Sequence, residues 1–202
     1  MLDFNLKEKK LFKKLATPAL IQDFLNDFEF NFEEKGETVK SPFFVLKTKK
    51  MHCLEGALLG AYILSLHGFK PYLLHLKATL EDYDHVIAPF KTGGLWGALS
   101  KTNHAVLRYR EPIYKNIHEL ALSYFHEYFL DNGQKTLRQY SDLLNLNTFE
   151  KGWELMDGDL WGIDEELDKI KHHDILPKYY IKKLRKADKI EIVAGKIVEQ
   201  KR

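Results

Sequence analysis

Between Cys53 and His67 the chain carries a helical pattern with one face almost bare of side chain. Cys53, Ala57, Gly60, Ala61 and Leu64 share that face, spaced four, three, one and three residues apart, and Gly56 sits beside them. Each internal glycine costs a helix roughly 1 kcal/mol relative to alanine. Two in one helix therefore mark a place where its backbone must come close to another element, and a sheet is the partner that fits. Gly68 stands where a left-handed cap ends a helix, and Pro71 prevents its continuation.

Residues 72–78, 85–90, 95–99 and 105–110 read as the strands of an antiparallel meander. Thr92-Gly93-Gly94 suits a tight hairpin, while Pro89 cannot donate to a ladder and implies an edge, a bulge or an early strand end. Residues 1–35 read as helical: Leu6, Leu11, Phe12 and Leu15 form a stripe, Thr17-Pro18 is a cap and first turn, and Gly36 closes the arm. Ser41 to Leu46 reads as an approach loop behind a helix-breaking proline. Residues 117–130 return to helical spacing between Asn116 and Asn132-Gly133, 163–173 and 177–187 look helical, and 189–198 alternates as a terminal strand or hairpin. The expected fold is one α+β domain in which an antiparallel sheet packs on a Cys-bearing helix. Its core covers about 40–130, with a helical N-terminal arm and a C-terminal extension over about 134–202.

Composition narrows function by exclusion. The 31 basic and 29 acidic residues nearly cancel, so no overall field points to nucleic acid or an anionic membrane. No apolar run approaches a membrane span and the first residues lack a signal-like apolar stretch, which predicts a cytoplasmic protein. A single cysteine rules out an internal disulfide and a Cys-based zinc site. No cofactor or metal is expected: His172-His173-Asp174 reads as a polar helix end.

Four stretches in order carry the chemistry: Met51 to Ala57 around Cys53, Gly68 to Tyr72, Asp84-His85-Val86, and Trp96 to Ser100. This order resembles the transglutaminase-like superfamily, a papain-related cysteine enzyme core, over about residues 40–112. The resemblance implies that Cys53 is a nucleophile opening a helix, that His85 is its base, and that an aspartate follows on the adjacent strand. Ser100, fifteen positions after His85, falls where that aspartate is expected. Asn103 is the alternative, because a side-chain amide oxygen can hold an imidazole tautomer, and Asp82 and Asp84 precede the histidine. A cysteine in a first turn feels unpaired N–H groups that favour thiolate, and Lys49 and Lys50 add positive charge nearby.

The expected function is thiol-dependent acyl chemistry, hydrolase or transferase, on an amide or peptide-like substrate. Cys53 attacks, His85 moves the proton, and Asn103 or Ser100 orients the ring. Trp96, Arg108 and Arg110 are candidate substrate contacts, the arginines by gripping an anionic group. His104 is a rival base, whereas His67 and His75 read as cap and strand-face residues. An alternative is a catalytically silent domain that binds a peptide or protein partner. A nucleic-acid module on Arg108, Arg110 and the basic 182–186 segment is disfavoured by the charge balance.

Overall fold

The computed structural model describes residues 2–201. In chain order the elements begin with α1 (Leu6–Lys14), α2 (Pro18–Asn26), β1 (Glu29–Phe30), α3 (Pro42–Thr48), β2 (Lys50–Met51) and α4 (Cys53–Leu66). There follow β3 (Tyr72–Lys77), β4 (His85–Thr92), β5 (Leu95–Leu99), β6 (Arg110–Tyr114) and α5 (Ile117–Leu122). The remainder comprises β7 (Gln139–Ser141), β8 (Leu144–Asn145), α6 (Trp161–Lys169), β9 (His172–Asp174), α7 (Lys178–Ile181) and α8 (Lys189–Gly195).

The main sheet runs β6-β5-β4-β3-β7-β9, with β8 also paired to β3, and every pair in it is antiparallel. Strand side chains alternate between two cores. Leu73, Val86, Ala88, Phe90 and Leu99 join α1 to α4 on one side. Leu74, Leu76, Ile87 and Ala98 join Leu120, Ala121, Tyr124, Tyr128 and Leu137 on the other. The fold is thus α+β, with the Cys-bearing helix packed on an antiparallel sheet. Pro89 lies beyond the last β3–β4 pair, Leu74↔Ile87, where its missing N–H removes nothing from that ladder.

The glycines of α4 explain how closely the helix sits. A Cβ on Gly56 would stand 2.5 Å from Lys101 Cβ, and one on Gly60 would stand 2.9 Å from Leu99 Cδ1. The first contact is with an atom fixed to backbone, the second with the far end of a flexible side chain.

Several expectations are corrected. Ser41 to Leu46 is not a loop: Pro42 takes the first-turn position it tolerates and opens α3. The fourth strand is 110–114 rather than 105–110, because residues 104–109 form a loop with Leu107 in the left-handed region at φ 60°. The 117–130 helix breaks after Leu122 into a 3-10 turn. Residues 172–174 form β9, and 189–195 form a helix capped by Asp188 and Glu191.

Gly56→Ala should destabilise the protein by about 1–3 kcal/mol in urea unfolding, although alanine is the better helix former, because overpacking against Lys101 outweighs propensity. Gly60→Ala should cost less, since Leu99 can rotate away.

Candidate active site

Topology brings the chemistry together. A short link joins α4 to β3, so α4 runs back along the sheet and its N-terminal end returns to where β3 ends and β4 begins. His85 opens β4, and Ser100 directly follows β5, the antiparallel neighbour of β4. Cys53, His85 and Ser100 therefore converge at one end of the sheet. Cys53 is half-buried and is the first residue of α4.

The thiol has two imidazole neighbours, not one. Burial alone would raise the Cys53 pKa, but hydrogen bonding to His52 and to His85, and the positive charge each ring can carry, hold it well below its ordinary value. Lys49 and Lys50 have other partners: Lys50 pairs with Glu29 at 3.0 Å, and Lys49 lies 5.1 Å over the Phe28 ring.

The hydrogen bonds fix the orientation of His85. Its Nε2 lies 2.8 Å from Ser100 Oγ, and Ser100 gives its only hydroxyl proton to the Leu107 carbonyl at 2.5 Å. Ser100 can therefore only accept from the ring, so Nε2 carries the proton and Nδ1 is left for the thiol. Ser100 is itself pinned, since its N–H donates to Gln22 Oε1 at 2.9 Å and its carbonyl accepts from Gln22 Nε2 at 2.8 Å. The left-handed Leu107 is held by Glu127, whose Oε2 accepts its N–H at 2.6 Å. A leucine there costs on the order of 1–3 kcal/mol, which aims its carbonyl at Ser100.

His52 occupies the other side. Its Nε2 donates to the Thr38 carbonyl at 2.8 Å and lies 3.6 Å from Glu55 Oε1. Burial works against charge on this ring, yet the Cys53 hydrogen bond and charge, the Glu55 charge and the Thr38 carbonyl raise its pKa to about 9. Glu55 is fully buried and accepts from Asn31 Nδ2, Thr38 Oγ1, Lys40 N, Lys40 Nζ and His52 N at 2.8–3.1 Å. Burial would raise its pKa, but the His52 charge, those donors and the Lys40 charge keep it below the ordinary value. Tyr128 is also close: burial foremost, then the Cys53 charge, push its phenol well up.

The other anticipated residues lie elsewhere. Asn103 does not reach His85, because its amide pairs with the backbone of Gln200. Asp84 is held by His75 and the Ala78 N–H, and Asp82 by Thr136 and the Tyr83 N–H. Trp96 is near the opposite end of β5, roughly 13 Å along the strand from Ser100. Arg110 is committed to Glu127 and Ser123 and stacks 4.1 Å over Tyr124, and Arg108 pairs with Glu199 at 2.6 Å. His104 Nδ1 bonds to the Gly195 carbonyl. His173 pairs with Asp142, and among the described residues no His, Cys, Asp and Glu cluster could hold a metal ion.

His52 and Glu55 were missed, although Glu55 is the one charged residue in an otherwise apolar helix and stands three residues after the cap. No protein-family model matches the chain, and no curated protein matches it.

The signs of the pH dependence follow from the two shifts. Stability from charged His52 is fully present below about 6.5 and is lost as pH rises through about 9; that from the Cys53 thiolate is present above about 8.5 and is lost as pH falls through its lowered pKa. The pair and the unfolded chain then bind equal numbers of protons between about 6.5 and 8.5. Relative to wild type, a Cys53→Ala/His52→Gln chain should show its largest stability deficit in that window and smaller deficits on either side, read by urea unfolding. Glu55→Gln should cost on the order of 2–3 kcal/mol and lower the His52 NMR titration midpoint from about 9.

Proposed function

We propose that the protein is a thiol-dependent acyl enzyme, a hydrolase or transferase of transglutaminase-like type, acting on an amide or peptide-like substrate. The observation that carries the reading is the convergence of Cys53, at the first turn of α4, with His85, whose tautomer Ser100 and Leu107 fix. In the resting state His52 and Cys53 form the imidazolium–thiolate pair. The thiolate attacks the acyl carbon, and the first-turn N–H groups of α4 are suited to the developing oxyanion. The proton that Cys53 gives up rests on His85 Nδ1; the ring passes it to the leaving amine, and the freed Nδ1 then takes a proton from water or a second amine as that nucleophile releases the acyl group. A reducing, cytoplasmic-type compartment keeps the single thiol free. No nucleic acid or membrane partner is needed.

A second reading, a peptide-binding domain without catalysis, draws support from one observation: among the described residues, the group on His85 Nε2 is a neutral hydroxyl and not a carboxylate. Iodoacetamide labelling discriminates between the readings. For the enzyme, native Cys53 labels well below the ordinary thiol pKa of about 8.5. His52→Ala and His85→Ala each move the profile up towards that value. Once a substrate is in hand, Cys53→Ala should abolish turnover, His85→Ala should lower kcat/KM by about 10²–10⁴, and Ser100→Ala should cost less. Labelling only on unfolding, with both histidine variants unchanged, leaves the binding domain as the surviving reading.

A further inference from the structure

The segment after α8 is held as a foreign peptide would be. The Ile197 carbonyl accepts from Ala105 N at 2.9 Å, and Val198 bridges His104 in antiparallel fashion. Glu199 N donates to the Asn103 carbonyl at 2.9 Å. Gln200 N donates to Asn103 Oδ1 at 3.0 Å, while the Gln200 carbonyl accepts from Asn103 Nδ2 at 2.9 Å. One carboxamide thus reads both polar groups of one peptide residue, and these are groups that any extended peptide presents.

Side chains add selectivity. Glu199 pairs with Arg108 at 2.6 Å, and Gln200 Oε1 accepts from Phe30 N at 2.9 Å. Both sides of this segment's binding groove lie close along the chain or the β1–β2 register to residues of the candidate site. Phe30 is the register partner of Met51, two residues before Cys53, and Asn103 lies three residues after Ser100. With the segment in place Asn103 is 5% exposed and its carboxamide is spent on the Gln200 backbone, so a departing segment frees those groups and the Arg108 guanidinium for another extended peptide.

We propose that the groove between Phe30 and the 103–108 loop is a docking site for an extended peptide bearing an acidic side chain opposite Arg108, and that Ile197–Gln200 is its resident, displaceable occupant. The proposal rests on the Cys53 reading only in taking the docked peptide to be that site's substrate. A tethered occupant competes at an effective concentration in the millimolar range, so the native chain admits an external peptide only against that competition.

The test uses a fluorescein-labelled peptide with the sequence of residues 196–201 and the full chain carrying Glu199→Pro, which removes both the N–H bond to Asn103 and the Arg108 pair. Anisotropy should show at least tenfold tighter binding to this variant than to wild type. Adding Asn103→Ala should remove the gain, and a peptide with lysine in place of the glutamate should bind about tenfold more weakly. Equal affinity for wild type and Glu199→Pro, or a gain that survives Asn103→Ala, overturns the proposal. Should Glu199→Pro fail to fold, the native chain serves instead: excess unlabelled peptide must speed amide hydrogen exchange at Glu199 and Gln200 several-fold, and unchanged exchange there overturns it. Iodoacetamide labelling of Cys53 in the same samples separates the two readings. Peptide exchange with an unactivated thiol supports the groove and sinks the enzyme; an activated thiol without peptide exchange does the reverse.

Discussion

A carboxylate removed from water must find donors for both oxygens, and Glu55 finds them on three separate segments. Asn31 comes from the chain after β1, Thr38 and Lys40 from the segment before α3, and the His52 N–H from the turn that opens α4. Satisfying one buried charge therefore locks the N-terminal arm, the start of the Cys helix and the His52 backbone into one geometry. The β1–β2 pair and the position of Cys53 depend on that lock. So does the charge on His52, because the same carboxylate lies within 3.6 Å of its ring.

The second constraint is steric. α4 reaches the end of β5 only because Gly56 and Gly60 leave room for Lys101 and Leu99. Lys101 sends its ammonium to the Phe28 carbonyl at 2.5 Å, and Gln22 grips the Ser100 backbone. The N-terminal helices thus stabilise the fold and also hold, from outside the sheet, the residue that orients His85.

How much of this was legible follows from the range of each interaction. The Cys helix, the hairpin at Gly93-Gly94 and the order of β3, β4 and β5 are encoded locally by periodicity, caps and turn residues, and they could be read from the sequence. Pro42 was ambiguous, because proline both breaks a helix and starts one. Residues 189–195 alternate like a strand, but the Asp188 and Glu191 cap decides for a helix. β7 forms only by pairing with β3 from more than sixty residues away, and β9 only by pairing with β7, and nothing local announces them. Within the site, spacing alone singled out Ser100, while chemical preference pointed to Asn103. What sent Asn103 elsewhere was Gln200, nearly a hundred residues on.

The neutral partner on His85 becomes intelligible once His52 is counted. An imidazole beside a thiol has two tasks: to carry the charge that keeps the sulfur ionised, and to move a proton to and from the reacting groups. A carboxylate behind a single histidine favours the first task at the expense of the second, since it holds the ring charged. Here the carboxylate stands behind His52, whose raised pKa of about 9 suits it to carry charge rather than exchange protons near neutrality. His85 is left with a hydroxyl that fixes its tautomer without adding charge, which in the proposed enzyme suits a ring that both gives and takes a proton. On the proposed enzyme reading, the serine at the place of an expected aspartate separates two functions that a single acid would force onto one ring.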